Sequence, residues 1–274
     1  MKKIAILLII IISENISSQK IEKDYPLSNT IEETSGLEIV DNLLITHNDS
    51  GGEASLYYLS KKGKILNKRK IELASNKDWE DLTRDEKYLY IGDFGNNFDN
   101  RKNLKIFKVP IDLNNNERNQ IISFNYPEQN SFKFNRNTIF DAEGLISIGD
   151  NLILFTKNRA KKITDLYLIP KNPGNYEAKK IGTIDVKSII TGADYNKKLK
   201  LLALTSTIDF KEYYLITIPN FSLNTKIEYK INMYKIPIGK SQVEAIKIID
   251  DKNFWITSEN EKDSKFARLM KLSL

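Results

Sequence analysis

Asp141-Ala142-Glu143-Gly144-Leu145 returns in altered form as Trp79-Glu80-Asp81-Leu82, Gly192-Ala193-Asp194 and Val243-Glu244-Ala245-Ile246, while Thr34-Ser35-Gly36-Leu37 is a first copy without the acid. A run of strand composition follows each copy. Leu82 to Asp93, Leu145 to Thr156, Ile246 to Thr257 and Asp194 to Thr205 are each intervals of eleven residues. A repeat of roughly 45 to 60 residues built from short strands is the signature of a β-propeller, in which each unit is one blade around a central axis.

Working outward, each repeat supplies runs that alternate apolar and polar residues between Gly, Asn, Asp or Lys turns. Blade one is expected over 36–40, 43–47, 55–60 and 65–71, and blade two over 79–83, 88–93, 104–109 and 121–126. Blade three is expected over 142–148, 152–156, 165–169 and 177–184, and blade four over 191–195, 200–205, 213–218 and 226–232. The fifth has three runs only, 243–249, 254–258 and 266–272. The extended segment 20–27 is the natural missing strand: pairing it with 266–272 closes the ring and leaves no blade edge open. The fold class is therefore all-β, a propeller of five four-stranded blades closed by an N-terminal strand. A sixth blade would have to hide between 121 and 139, around Ser131-Phe132-Lys133-Phe134; that interval is short for four strands and is read as a long loop over one face.

The chain has 274 residues, 41% of them hydrophobic, and no Pro/Gly/Ser-rich linker divides it, so 19–274 is expected to be one domain. Residues 1–18 read as a signal peptide: Lys2 and Lys3 precede the apolar run 4–12, and small residues follow at Ser17 and Ser18. The run is too short to span a bilayer, which takes about 20 residues. A secreted or periplasmic protein is expected, without a membrane span after cleavage. Without residues 1–18, which hold two Lys and one Glu, 40 basic residues stand against 35 acidic ones. The Lys and Arg are spread along turns and strand edges and are not interleaved with aromatics, so no nucleic-acid partner is expected. Nothing in the sequence calls for an oligomer, and a monomer is expected.

With the repeats aligned, Glu80, Asp81, Asp141, Glu143, Asp194 and Glu244 fall at the starts of innermost strands and should converge on one mouth of the channel. Crowded carboxylates raise one another's pKa or recruit a cation. They equally serve as caps on strand ends, and the sequence leaves both readings open. One His and no Cys leave little for zinc, whereas carboxylates suit Ca²⁺, with Asp81, Asp141, Glu143 and Glu244 as the ligand set. The loop Gly92-Asp93-Phe94-Gly95-Asn96-Asn97-Phe98-Asp99-Asn100 reads as an Asn/Gly turn, with Asp93 facing the channel. His47, Lys157, Ser206 and Ser258 are read as one aligned position on four blades, with Glu259 next to it. His47 among carboxylates is a candidate general acid or base, or else a hydrogen-bonded structural imidazole.

The ordered series Glu33-Thr34-Ser35-Gly36-Leu37, His47-Asn48-Asp49-Ser50-Gly51, Asp78-Trp79-Glu80-Asp81, Gly92-Asp93-Phe94-Gly95-Asn96-Asn97, Asp141-Ala142-Glu143-Gly144, Thr191-Gly192-Ala193-Asp194, Glu244-Ala245 and Thr257-Ser258-Glu259 resembles that of exported bacterial propeller proteins of unsettled activity. More distantly it is similar to esterase-like and phytase-like propellers and to envelope propellers with Glu-x-Ser-Gly-Leu and Glu-Gly motifs. Those relatives are usually six-bladed, so a five-blade count departs from them.

Two function classes follow. One is a Ca²⁺-dependent hydrolase of phosphoesters or esters, in which His47 or Glu259 handles protons and Lys157 meets an anionic group. The other is a non-catalytic propeller that binds a small molecule, glycan, peptide or envelope protein across one face.

Overall fold

The computed structural model describes residues 19–113, 117–223, 229–239, 241–260 and 265–274. Its strands in chain order are β1 (Lys20–Pro26), β2 (Thr34–Val40), β3 (Leu43–Asn48), β4 (Ser55–Leu59), β5 (Ile65–Lys70), β6 (Trp79–Arg84), β7 (Tyr88–Asp93), β8 (Leu104–Pro110), β9 (Gln120–Asn125) and β10 (Ala142–Ile148). There follow β11 (Asn151–Thr156), β12 (Thr164–Pro170), β13 (Gly174–Glu177), β14 (Lys179–Ile184), β15 (Ile189–Asn196), β16 (Leu201–Ile208), β17 (Glu212–Pro219), β18 (Asn232–Lys235), β19 (Val243–Ile248), β20 (Asn253–Ser258) and β21 (Arg268–Ser273). They form five sheets: β2–β5; β6–β9 with β13 added at the edge; β10, β11, β12 and β14; β15–β18; and β19, β20, β21 and β1. This is a five-bladed propeller.

The blade interiors explain the sequence pattern. A middle strand is covered by a neighbouring blade on each face, so β4 and β11 are apolar almost throughout and buried along most of their length. An outermost strand such as β5, Ile-Leu-Asn-Lys-Arg-Lys, has mostly water around it and carries charge. One apolar cluster fills each junction between adjacent blades, from Leu56 and Ile91 between blades one and two round to Tyr57 and Trp255 between blades one and five. Burying each large side chain contributes about 1.5–3 kcal/mol. The ring is thus held by five apolar interfaces.

Closure is as the sequence indicates: β1 pairs antiparallel with β21 from Lys20↔Ser273 to Pro26↔Arg268. The Leu27 amide then donates to the Ala267 carbonyl at 2.7 Å, and Leu27 and Ile31 are buried against blades one and five.

Two details differ from expectation and a third agrees with it. The run expected at 177–184 is split: β14 closes blade three, whereas β13 leaves it and pairs parallel with β9 of blade two. Ala178 turns the chain between them, its amide on the Asn125 carbonyl at 2.8 Å and its methyl buried. The outer strand expected at 226–232 is β18, starting at Asn232, and 226–228 lie outside the described residues. The interval 126–141 contains no strand and so no hidden blade.

Deletion of residues 19–28 removes the fourth strand of blade five and uncovers the apolar side of β21. The truncated protein should lose at least about 10 °C in melting midpoint by differential scanning calorimetry, since several kcal/mol of burial goes with it. An unchanged midpoint would show that closure by β1 is dispensable.

An acidic mouth built on five β-bulges

Every innermost strand carries one extra residue near its start. Pairing shifts between Ser35 and Leu37, Trp79 and Asp81, Ala142 and Gly144, Ile190 and Gly192, and Val243 and Ala245. The residues inserted are therefore Gly36, Glu80, Glu143, Thr191 and Glu244. A bulge bends its strand and re-aims the inserted side chain, which is how three glutamates reach one mouth of the channel. The first repeat lacks the acid for a steric reason: Gly36 has φ +65°, and a Cβ there would lie 2.7 Å from the Leu82 amide and 2.6 Å from the His47 ring.

Carboxylate oxygens of Glu80, Asp141 and Glu143 lie within 4.8 Å of one another, and so do those of Asp49, Asp78 and Glu80. Glu80 belongs to both sets. Its Oε1 is buried without a hydrogen-bond partner among the described residues, as is Oδ1 of Asp49. A Cβ on Gly95 would stand 2.0 Å from that Glu80 oxygen and 2.4 Å from Oδ2 of Asp78, so only glycine leaves the two carboxylates their room. The acids are offset by three cations: the Lys157 ammonium is paired with Glu143, Arg159 with Asp141 at 3.0 Å, and Arg101 lies 3.8 Å from Asp78.

Burial governs the charge states. It pushes Asp49 up to about 9, assisted by Asp78, Glu259, Glu143 and Glu33. Glu143 rises to about 7 despite Lys157, and Asp78 to about 6 despite Arg101. Glu80 and Glu244 are raised well above the ordinary carboxylate range, by burial first and then by neighbouring acids, Glu143 and Glu259 respectively. For Lys157 burial works against the charge, but Glu143, Asp141, Glu244 and Glu80 together hold it more firmly protonated than usual.

The acids picked out in the sequence do not all come together. Asp141, Glu143, Glu244, Glu80, Lys157 and Glu259 share the mouth. Asp81, grouped with the cation ligands from sequence, instead lies one residue deeper and accepts the amides of Leu82 and Leu145 at 2.7 Å and of Ala193 at 3.3 Å, tying blades two, three and four together. Asp93, expected to face the channel, is held by Arg101 at 2.7 Å. Asp194 is three residues past its bulge, not at it, and meets Lys247 at 2.8 Å and the Ile248 amide at 2.8 Å.

His47 lies in surroundings that favour the second of the two readings left open by the sequence, a hydrogen-bonded imidazole. It is fully buried, edge-on to Trp79 at 5.4 Å, with Nδ1 3.1 Å from the Asn48 carbonyl. Burial lowers its pKa to about 4, which favours the neutral imidazole at pH 7. Strand pairing also corrects the aligned position: His47, Asp93, Thr156, Ser206 and Ser258 are equivalent, and Lys157 is one residue further on.

Sequence reasoning did not single out Asp49 and Asp78 as site residues, although both stand in motifs it quoted. The available signal was their position: Asp49 directly follows β3, and Asp78 directly precedes β6. It also missed the loop's own role. The Asn96 amide donates to Asp141 at 2.7 Å, and its side chain donates to the Phe140 carbonyl at 3.1 Å, so the 92–100 loop is a clamp on blade three as well as a turn.

A carboxyl whose pKa is raised on folding stabilises the protein below its unfolded value, near 4, and that contribution is lost as pH rises through the folded value. Without added metal ion the melting midpoint should fall from pH 5 to pH 9, as Asp78, Glu143 and Asp49 ionise in turn. The Asp49→Asn/Glu143→Gln variant should show a flatter profile. A parent profile that is flat or rises over this range would contradict these charge states.

No protein-family model and no curated protein sequence matches the chain. Among solved structures it is similar to the PQQ-bound form of aldose sugar dehydrogenase from Streptomyces coelicolor, at TM-score 0.51 and 9% identity, over 93% of this chain and 98% of that one. Two further likenesses, each at TM-score 0.47 and 9% identity, are to a Thermus thermophilus protein described as a glucose dehydrogenase and a Bacteroides fragilis protein described as exported. They cover 91% and 96% of this chain and 99% and 98% of those chains. At such identity the likeness is one of fold. No sequence match supports the likeness to esterase-like and phytase-like propellers.

Proposed function

We propose that the mouth is a Ca²⁺ site at which the ion polarises an ester or phosphoester for hydrolysis, in a protein exported by way of residues 1–18. The observation that carries this reading is the buried set Glu80, Asp141 and Glu143 with its oxygens within 4.8 Å of one another. Oxygens on opposite sides of one calcium ion, at about 2.3–2.6 Å each, are about 5 Å apart, so a spacing within 4.8 Å is compatible with three oxygens sharing one ion. Hard oxygen donors and the absence of Cys suit that ion. Outside the cytoplasm calcium is plentiful enough for a modest site to fill.

Each group then has a task. Glu80 and Glu143 hold the cation, with Asp141 oriented by Asn96 and Arg159. Asp49, still protonated at neutral pH, is placed to supply a proton to a leaving group, and Glu259 is the acid beside it. Lys157, paired with Glu143, would be free to meet an anionic oxygen of the substrate where a cation held Glu143.

A second reading has one observation on its side. Lys157 and Arg159 already sit on Glu143 and Asp141, so the mouth is partly neutralised without an ion, and such a cup can bind a glycan or peptide without turning it over.

Glu80→Gln discriminates, because Gln resembles the protonated acid and leaves the fold intact. Excess Ca²⁺ over chelator should raise the parent's melting midpoint by mass action, about 2.7 kcal/mol at a hundredfold excess over Kd. The variant should lose that rise. Hydrolysis of phosphomonoesters, simple esters or lactones should drop on the order of a hundredfold with it. A parent indifferent to Ca²⁺ from pH 6 to 9 would eliminate the cation site, and Ca²⁺ binding without turnover of any of these substrates would favour the binding reading.

A further inference from the structure

Beside the mouth, two loops that carry no strand are locked together. Asp99, at φ +60°, is buried between them: its Oδ1 accepts Gln129 Nε2 at 2.7 Å and Thr138 Oγ1 at 3.0 Å, and its Oδ2 accepts Asn135 Nδ2 at 3.3 Å. The Asn135 amide also donates to the Phe98 carbonyl at 3.0 Å. This assembly holds apolar rings in water. Phe98 and Phe134 are 45% and 64% exposed, with ring centroids 5.1 Å apart and planes inclined by 15°. Cations flank the rings: Arg136 lies 5.8 Å from the centre of Phe134, and Lys102 lies 4.7 Å from that of Phe132. Fixing exposed phenyl groups on a buried polar network is costly unless something covers them.

Lys102, which lies over Phe132, also lines a groove of about 550 Å³ along blade two, with Lys105, Asn103, Asn125, Asn175 and Tyr176. Glu177 is its one acid. The groove therefore offers three side-chain amides, able to donate and accept, next to the Lys102 ammonium and close to the aromatic rim, while the Lys105 ammonium lies 3.9 Å from Asp93. Amides match the hydroxyls of a sugar, ammonium and guanidinium groups match carboxylate or sulfate, and ring carbons match the apolar C–H face of a pyranose.

We propose that the aromatic rim and the blade-two groove form one binding surface for an acidic oligosaccharide, whose anionic groups rest on Lys102 and Arg136 and whose hydroxyls bond to Asn103, Asn125 and Asn175. This surface works independently of the acids at the mouth. It is tested by interferometry on immobilised polygalacturonate and dextran sulfate with chelator present throughout, so that a failed calcium site leaves the result readable. The parent should bind at least one of the two acidic glycans. Lys102→Gln/Arg136→Gln and Phe98→Ser/Phe134→Ser should each weaken binding at least about tenfold, with melting midpoints near the parent's because the side chains replaced are on the surface. Neutral dextran, polyglutamate and single-stranded DNA should bind at least about tenfold more weakly than the acidic glycan. The proposal fails if neither acidic glycan binds, if polyglutamate or DNA binds equally well, or if both double variants bind like the parent.

Discussion

Five inner strands can meet around one axis only if their backbones come close, and the bulge repeated in each of them is the accommodation on which the rest depends. Each bulge turns its inserted residue toward the mouth and lets the strand continue into the packed interior. Where strands touch, side chains are small: a Cβ on Gly144 would stand 2.7 Å from the Ala193 methyl, and one on Gly192 would stand 2.6 Å from the Glu244 carbonyl. Just beneath, Asp81 spends its carboxylate on amides of three blades, which fixes the blade spacing that sets the distances between Glu80, Glu143 and Glu244. An acid in the middle of the ring thus serves the fold.

Charge is arranged in two separate groups along the channel. At the mouth, acids outnumber cations, and protons make up part of the difference at neutral pH. Deeper, Lys247 bridges Glu38 at 2.7 Å and Asp194 at 2.8 Å, with Arg84 3.5 Å from Glu38. That network joins blades one, two, four and five and is internally paired. A buried pair of this kind gives little net stability but is costly to break on one side. On the proposed reading a cation at the mouth would replace the proton on Glu80 and compete with Lys157 and Arg159 for Glu143 and Asp141.

The architecture was legible in the sequence because a propeller repeats its units, and because covered and uncovered strands differ in apolar content. The three-strand last blade even indicated the closing partner. The site was legible only in part. Asp141, Glu143, Glu80 and Glu244 could be read from the repeated motif, but counting eleven residues from each anchor placed Asp194 among them and Lys157 in register with His47. Strand pairing puts Lys157 one residue beyond the His47 position and Asp194 three beyond the bulge. An odd offset reverses which way a side chain faces in a strand, so motif counting locates a blade more reliably than a ligand. For His47 the sequence left two readings open, since burial against Trp79 and beside Gly36 is a product of blade packing. Asp49 and Asp78 sit at strand ends, where no periodic pattern applies.

The central claim is that a cation takes the place of protons on the mouth acids. Calorimetric titration of the whole protein with Ca²⁺ at pH 7, repeated in buffers of different ionisation enthalpy, counts the protons released per ion bound. The account predicts saturable binding with release of about one to two protons, because Glu80 and part of Glu143 must ionise to hold the ion. Binding without proton release, or no binding, would contradict it.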